Sequence, residues 1–304
     1  MDMSIRKSLD QFAEKLNSDP RMHFNKVVRL TEILTSHIDG KIKLSESKIQ
    51  DHVEELINYA LVSGIPLKQN MPVIRAVRFN ENIGFSYTDT SRLSYIPTHK
   101  PELCKKGRVN VEGQSLFYAC FGNGSDEKAI STMLSECRAE KGYIFNVLVA
   151  EIDSPFLNLV PIGINDYFRR GVKEPFGLSS EFIENYEYLI SILEHESKLT
   201  VNLCEAFLSS VMSKNGSTTL YDVTSSVTNA YLKFEAVHGV LYPSTMNIGY
   251  PNVAIKPLAV DHFIKYKEAV SFLVEDALGY GLFQVNNLGC GVLVGDLIEW
   301  SQEP

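Results

Sequence analysis

The chain has 304 residues, a formal net charge of −8 and an apolar fraction of 44%. This apolar fraction supports the core of one large domain, or of one domain with an appendage, without disulfides or metals. The acidic balance and the lack of a Lys/Arg block argue against nucleic acid as the main ligand, and no apolar stretch is long enough to predict a membrane span.

The N-terminus and the cysteines indicate the compartment. The segment MDMSIRKSLDQFAEKL is amphipathic and charged, without the apolar core of a signal peptide. The chain has five cysteines, an odd number, scattered without CxxC spacing: Cys104, Cys120, Cys137, Cys204 and Cys290. This usage is typical of reduced, mostly buried thiols, so we predict a cytoplasmic protein.

Residues 1–68 carry helical patterns. Asp19-Pro20 has the form of a cap followed by a first-turn proline, which predicts a helix from there to Gly40. A second helix has one apolar face, formed by Ile49, Val53, Leu56, Ile57, Ala60 and Leu61. This face requires a partner, so we expect the segment to pack on the main domain or on another chain.

From Pro72 the pattern changes to short strand-like runs. Strands are predicted at VIRAVRF, SLFYACF and YIFNVLVAEI, which are rich in β-branched and aromatic residues. Between the last two, SDEKAISTMLSECRAEKG predicts a helix from Ser125 to Gly142. Ala129, Met133 and Glu136 share one face of it, which places Glu136 near the sheet.

The C-terminal half returns to helices and then to strands. Ser179 to about His238 is predicted as helical with an interruption at Gly216, and the strands GVLYPS and NVAIKP follow. Strands separated by helices predict an α+β domain around a mixed sheet. The predicted organisation is an N-terminal helical segment (1–68), a catalytic domain (72–262) and a C-terminal extension packed on it (263–304).

Arginines are the first candidates for ligand contacts. Arg75 and Arg78 lie three apart on one strand, so only one of them can point into a given pocket. Arg108 and Asn110 lie in the glycine-bracketed turn GRVNVEG, where a backbone can approach a ligand closely. Guanidinium groups bind phosphate bidentately, whereas a strand ion pair or loop scaffolding is the structural alternative.

Three further side chains follow in the same order along the chain. Glu136 alone would be a solvated helix carboxylate, but its apolar face favours partial burial. Ser244 in YPST lies outside any GxSxG elbow, which favours a hydrogen-bonding or turn-forming role over a nucleophile. Tyr118 in LFYAC is suited to stacking on a flat ring or to the core. The sequence contains neither a phosphate-binding loop nor metal-ligand spacing that would indicate a different kind of site.

Together these segments resemble the RES family, which is named for its arginine, glutamate and serine. IRAVRF is similar to the family's opening arginine strand, and GRVNVEGQSLFYA to its arginine-asparagine turn followed by a strand ending in tyrosine. TMLSE resembles the helix that ends in the glutamate, and HGVLYPS with PNVAIKP resembles the serine strand and the asparagine after it. The resemblance covers Val73 to Pro257.

The resemblance implies a fold similar to ADP-ribosyltransferase toxins, a mixed split sheet with flanking helices whose cleft holds NAD+. It implies a bacterial toxin that cleaves the nicotinamide–ribose bond, with water or phosphate as the acceptor. NAD+ would be the substrate, with no further cofactor and no metal, and a helical DNA-binding antitoxin would be a partner. Transfer of ADP-ribose to a protein and a non-catalytic NAD-binding module are the alternatives, and the oligomeric state stays open.

The same resemblance assigns roles to residues. The catalytic set is Arg75, Glu136 and Ser244, and the NAD-binding set is Arg108, Asn110, Tyr118 and Asn252. The arginines would hold the pyrophosphate, the tyrosine would stack on nicotinamide or shape its pocket, and the glutamate would stabilise an oxocarbenium-like transition state. The serine and the second asparagine would place the nicotinamide ribose or its amide.

Two assignments within these sets have alternatives. Arg78 can replace Arg75, because both arginines lie on the opening strand. Glu127 or Glu140 can replace Glu136, because the gap after Tyr118 is longer than the family pattern leads us to expect. We prefer Glu136 because TMLSE fits the local pattern and Glu127 would open the helix.

Overall fold

A computed structural model of the chain describes residues 3–61, 64–67, 69–81, 84–172, 180–246 and 251–301. The helices are α1 (Met3–Asn17), α2 (Pro20–Ile38), α3 (Glu46–Ile57), α4 (Glu127–Glu136), α5 (Ile164–Arg169), α6 (Ser180–Ile192), α7 (His195–Met212), α8 (Thr218–Leu232) and α9 (Pro257–Phe263). None of the helices in these described ranges combines the length and the apolar character needed to cross a bilayer.

Ten strands accompany the helices in the described residues. They are β1 (Ile65–Pro66), β2 (Pro72–Phe79), β3 (Phe117–Phe121), β4 (Ile144–Ile152), β5 (Asn158–Pro161), β6 (Gly239–Pro243), β7 (Pro251–Ile255), β8 (Ile264–Gly279), β9 (Leu282–Val294) and β10 (Leu297–Ser301). The predicted α+β class is confirmed. The closer likeness to ADP-ribosyltransferase toxins stays a prediction.

The chain divides into two compact units that do not follow the predicted contiguous boundaries. One, the helical unit, comprises Met1–Ser63, Gly107–Val109 and Pro161–Lys233. The other, the sheet unit, comprises Gly64–Lys106, Asn110–Val160 and Phe234–Pro304. The units differ from the predicted ranges 1–68, 72–262 and 263–304 because residues 161–233 group with the N-terminal helices, and residues 263–304 group with the strands of the sheet.

The helical unit supplies the partner that the apolar face of α3 requires. Ile49, Val53 and Leu56 are buried, and α3 packs on α2 and α8. The backbone carbonyl of Leu56 accepts a hydrogen bond from the Cys204 thiol of α7 at 3.3 Å. The partner therefore combines the preceding helix α2 with α7 and α8, two helices later in the same chain that fall within the predicted catalytic domain.

Helix α2 begins where the sequence predicts. The Asp19 side chain accepts a 3.0 Å hydrogen bond from the backbone N–H of Met22, and Pro20 occupies the first turn. An aspartate in this position satisfies one of the amide groups that a helix leaves without a partner. The local sequence was sufficient to predict the start of α2, because the N-cap hydrogen bond joins residues only three positions apart.

The sheet unit contains one ten-stranded sheet with the order β1-β5-β6-β7-β3-β2-β4-β8-β9-β10. Its eight strand pairs of described register are antiparallel. Strand β2 pairs with β4 along its whole length but with β3 only through Val73↔Phe121 and Ile74↔Cys120. The sheet therefore opens between β2 and β3 directly after Ile74.

Helix α4 covers this part of the sheet and ends earlier than predicted. Its residues Ala129 and Met133 pack in one core cluster with Ile74. The helix ends at Glu136 and not at Gly142, because Arg138 adopts a left-handed conformation with φ of 50°. The Ala139 N–H then bonds to the Leu134 carbonyl, which closes the helix end as a Schellman motif.

The C-terminal residues extend the sheet. The sequence predicted an extension over 263–304 packed on the catalytic domain, whereas β8 pairs directly with β4 and β9 and β10 continue the sheet beyond it. The turn between β8 and β9 uses positive φ angles at Gly279, Tyr280 and Gly281. Such a turn returns the chain sharply and allows two long strands to pair as a hairpin.

Candidate functional site

The end of α4 meets two residues from the far end of the chain at Glu136. Glu136 Oε1 accepts a 2.7 Å hydrogen bond from the Ser244 hydroxyl and a 2.8 Å hydrogen bond from Asn252 Nδ2. Ser244 and Asn252 are buried, with 6% and 3% of their surfaces exposed, and Glu136 is half-buried. The carboxylate is thus oriented by two neutral donors. We call these three residues the Glu136 cluster.

Strand register explains how the cluster forms. Asn252 lies on β7 opposite Tyr242 of β6 on one side and Cys120 of β3 on the other. The Cys120 thiol donates to Asn252 Oδ1 at 3.1 Å, which leaves Nδ2 directed at the carboxylate. Ser244 follows β6 immediately, so the pairing of β6 with β7 brings it to the same end of the sheet.

Arg75 occupies the opening between β2 and β3. Its Nη1 donates to the carbonyl of Tyr118 at 3.0 Å, where a continued strand pair would have placed a backbone amide. Its Nε lies 3.1 Å from the carbonyls of both Leu93 and Ser94. The guanidinium therefore holds three backbone oxygens, and all three belong to neutral groups.

The surroundings of Arg75 leave its positive charge without a described anionic neighbour. Burial lowers the pKa of the guanidinium, and the groups that act against this are the thiol of Cys137 and the phenols of Tyr118, Tyr266 and Tyr242. None of these described groups is a carboxylate. A half-buried cation surrounded by neutral dipoles is suited to bind an anionic ligand.

Asn110 and Tyr118 are joined to each other. The Tyr118 hydroxyl donates to Asn110 Oδ1, and Asn110 Nδ2 lies within hydrogen-bond distance of the carbonyls of Lys105, Val111 and Gln114. Asn110 is buried, with 5% of its surface exposed. These contacts give Asn110 the geometry of a loop scaffold that also orients the tyrosine, while its assignment to NAD+ binding stays a prediction.

Arg108 belongs to the helical unit through the short segment Gly107–Val109. The described contacts of the Glu136 cluster and of Arg75 involve the sheet unit. The structure therefore brings together Glu136, Ser244 and Asn252, and separately Asn110 and Tyr118, while the pairing of Arg108 with Arg75 on one pyrophosphate stays a prediction.

The alternative residues lie elsewhere. Arg78 is exposed and its guanidinium carbon lies 3.4 Å from the ring centroid of Tyr143, whose hydroxyl donates to Glu140 at 2.7 Å. Glu127 is exposed in the first turn of α4. A nine-residue helical separation from Glu136 corresponds to about 14 Å, so Glu127 cannot share the contacts of the Glu136 cluster. The contacts favour Arg75 and Glu136.

A pocket with a volume of about 320 Å³ adjoins the loop that holds Arg75. It is lined by Ser91, Ser94, Tyr95, Pro97, Thr98, His99, Asp261 and Tyr266. The sequence did not single out any of these residues, because the six in the segment from 90 to 103 carry neither helical nor strand periodicity and the other two lie far away in the chain, on α9 and β8. The signal that was present is the density of tyrosine, serine and histidine in a loop, a composition that is frequent at binding sites.

None of the five cysteines forms a disulfide; Cys104, Cys120 and Cys204 are buried, and Cys137 is exposed directly after Glu136. Comparisons of the chain with family models, with curated proteins and with solved structures find no match. The functional interpretation therefore rests on the geometry of the site and on the resemblance of its motifs.

Proposed function

We propose that this protein degrades NAD+ by breaking the bond between nicotinamide and ribose, as the resemblance to RES toxins implies. The observation that carries the proposal is the Glu136 carboxylate held by Ser244 and Asn252 at 2.7 and 2.8 Å. Glycosyl cleavage develops positive charge on the ribose ring, and an oriented carboxylate stabilises that charge without reorganising during the reaction.

The two hydrogen-bond donors orient the Glu136 carboxylate for catalysis. Ser244 and Asn252 are neutral donors, so these two hydrogen bonds orient the Glu136 carboxylate without neutralising it. Fixed dipoles of this kind contribute roughly 10²–10³ in rate where they act on the transition state directly. The Ser244 oxygen also accepts a 3.2 Å hydrogen bond from the Met246 N–H, which engages a lone pair and favours a positioning role.

Arg75 supports the choice of a dinucleotide substrate. Its guanidinium is anchored on neutral carbonyls beside the opening of the sheet, and one of them belongs to Tyr118 of β3. Cys120 of the same strand bonds to Asn252 of the Glu136 cluster, so the cationic group and the carboxylate belong to one region of the sheet unit. This arrangement suits a substrate that presents a pyrophosphate near a ribose.

The proposed reaction breaks the bond from ribose C1 to the nicotinamide nitrogen, and the electron pair leaves with nicotinamide. A new bond forms from C1 to an oxygen of water, giving ADP-ribose and a proton, or to an oxygen of phosphate, giving a phosphorylated ADP-ribose. Tyr118, oriented by Asn110, would shape the nicotinamide side of the site. As a toxin it would act in the cytoplasm with a helical DNA-binding antitoxin as partner.

The test is nicotinamide release from NAD+ by the purified protein, with and without phosphate, followed by chromatography of the products. Glu136→Gln keeps the shape and the ability to accept hydrogen bonds but removes the charge, so release should fall by at least about a hundredfold. Glu140→Gln is the matched control, because Glu140 is exposed and bonds to Tyr143.

The products distinguish the competing functions. Free ADP-ribose indicates hydrolysis, and a product that appears only with phosphate indicates phosphorolysis. If labelled ADP-ribose from NAD+ is found attached to a protein and no free ADP-ribose forms, the activity is ADP-ribosyl transfer and not degradation. If neither free nicotinamide nor labelled protein appears, or if both glutamine variants behave alike, the proposal is wrong.

A further inference from the structure

The pocket lined by Tyr95, Tyr266 and Asp261 is not used by the Glu136 cluster, yet Ser94 connects it to Arg75. The Ser94 carbonyl accepts from Arg75 Nε at 3.1 Å, and the Ser94 hydroxyl bonds to the hydroxyl of Tyr266 in the pocket wall. A ligand group bound to the guanidinium therefore lies within one residue of the pocket.

Arg75 is also connected to the strand that contacts the Glu136 cluster. Its Nη1 donates to the carbonyl of Tyr118 on β3 at 3.0 Å, and Cys120, two residues further along the same strand, donates to Asn252 of the cluster at 3.1 Å. On the other side its Nε donates to Ser94, which lines the pocket. An extended ligand that places its anionic middle on Arg75 can thus reach Glu136 with one end and the pocket with the other.

The lining of the pocket indicates what this second end would be. Tyr95 and Tyr266 contribute aromatic rings to the lining, and Ser91, Ser94 and Thr98 contribute hydroxyls, a combination suited to a flat polar ring. The volume of about 320 Å³ is at the lower limit for a ligand pocket, which fits one nucleoside and not a whole dinucleotide.

Asp261 adds a carboxylate at the rim. Its Oδ1 accepts a 2.7 Å hydrogen bond from the Tyr95 hydroxyl, which fixes its orientation, and the described residues provide no partner for Oδ2. A carboxylate in this position accepts hydrogen bonds from ribose hydroxyls and repels a phosphate ester in their place. Burial and the bond to Asp261 raise the pKa of the Tyr95 hydroxyl, so the tyrosine remains a donor at neutral pH.

We propose that this pocket binds the adenosine half of NAD+, with Asp261 on the ribose hydroxyls, and that it thereby selects NAD+ over NADP+. The inference rests on the proposed function, because the reacting ribose is assigned to the Glu136 cluster and the pyrophosphate to Arg75. It goes further in assigning a subsite and a specificity-determining residue that the motifs do not contain.

The test is calorimetric titration of the intact protein with AMP and with adenosine 2′,5′-bisphosphate. AMP should bind, and the extra 2′-phosphate should weaken binding by about tenfold, because it meets the Asp261 carboxylate. Asp261→Asn should reduce this difference to about threefold or less. Tyr95→Phe keeps the carboxylate and should preserve most of the difference. Glu299→Gln, an exposed change on β10, should leave both affinities unchanged.

Failure of this inference is distinguishable from failure of the proposed function. If nicotinamide is released but both probes bind equally, or Asp261→Asn leaves their difference unchanged, the pocket assignment is overturned while NAD+ cleavage stands. If Asp261→Asn reduces the affinity difference between the two probes but nicotinamide is not released, the cleavage proposal is wrong and the assignment of the nucleotide subsite stands. Glu136→Gln should abolish release and leave AMP binding unchanged.

Discussion

The Ser244 hydroxyl and the Glu136 carboxylate are joined by a 2.7 Å hydrogen bond that spans 108 positions of sequence. The bond ties the C-terminal end of α4 to the residue that follows β6. It depends on the pairing of β3, β6 and β7, since that pairing brings these two segments to one end of the sheet. The cluster therefore exists only when this half of the sheet is assembled.

Replacing Ser244 by alanine tests how much this hydrogen bond contributes to the rate of the reaction. We expect kcat for nicotinamide release to fall by about tenfold to a hundredfold, because the carboxylate loses one of its two described donors, with a smaller change in KM. The measurement is steady-state release of nicotinamide. Ser191→Ala, an exposed serine whose hydroxyl bonds to its own helix, is the control. Equal kinetics for both variants would contradict the assignment.

Because Glu205 is buried, we expect the stability of the helical unit to depend on pH. Burial raises the pKa of this carboxyl from 4.5 to about 7, against hydrogen bonds from Asn165 and from the backbone N–H of Leu61. The folded chain therefore holds a proton that the unfolded chain has released between these pH values. Stability should fall as pH rises from about 4.5 to about 7 and should change little from this group above it.

Glu205→Gln removes this titration while keeping an acceptor for Leu61. Relative to the variant, the parent should lose about 3 kcal/mol of stability between about pH 4 and about pH 8. The measurement is urea unfolding followed by helical circular dichroism at both pH values. If the unfolding free energies of the parent and the variant change equally between the two pH values, Glu205 does not titrate as its burial indicates.

Arg138→Gly should stabilise the protein. Arg138 has a φ of 50° at the C-terminal end of α4, a conformation that glycine adopts without the steric penalty of a side chain. We expect a gain of about 1 kcal/mol in the free energy of unfolding, read as a higher thermal midpoint. Glu140→Gly, two residues away without positive φ, should give no gain. A loss of stability in Arg138→Gly would show that the side chain has a contact that outweighs the strain.

Asn110→Ala distinguishes a loop scaffold from a ligand contact. At this buried position the substitution removes the described donor to three backbone carbonyls and the described acceptor of the Tyr118 hydroxyl, so the unfolding free energy should fall by about 2–3 kcal/mol. Chemical denaturation measures this, with Asn286→Ala, an exposed change on β9, as the control. Unchanged stability together with weakened NAD+ binding would assign Asn110 to the ligand instead.

Removing residues 1–63 should prevent folding of the helical unit. The buried faces of α7 and α8, which include Val201, Leu208 and Val227, would lose the helices that cover them. Exposed apolar surface of this kind promotes aggregation. Size-exclusion chromatography should show aggregates, and co-expression of residues 1–63 as a separate chain should reduce them. A monomeric truncated protein with unchanged nicotinamide release would show that these helices are not needed for folding.

Local signals determined much of the secondary structure. The Asp19-Pro20 cap, the strands around Arg75 and Tyr118, and the helix leading to Glu136 were predicted from spacing and residue type, because their hydrogen bonds or side-chain alternation involve near neighbours. The end of α4 was misplaced, since a left-handed arginine at 138 carries none of the glycine signal by which helix ends are recognised.

The sequence by itself therefore determined the α+β class, most element positions and the candidate residues, the last through ordered motifs and not through periodicity. Only the tertiary structure decided that Glu136 meets Ser244 and Asn252, that Arg75 fills the opening between β2 and β3, and that the C-terminal strands join the sheet. The physical reason is that these contacts depend on strand register between segments far apart in the chain, and register is set by packing of whole faces against a common core.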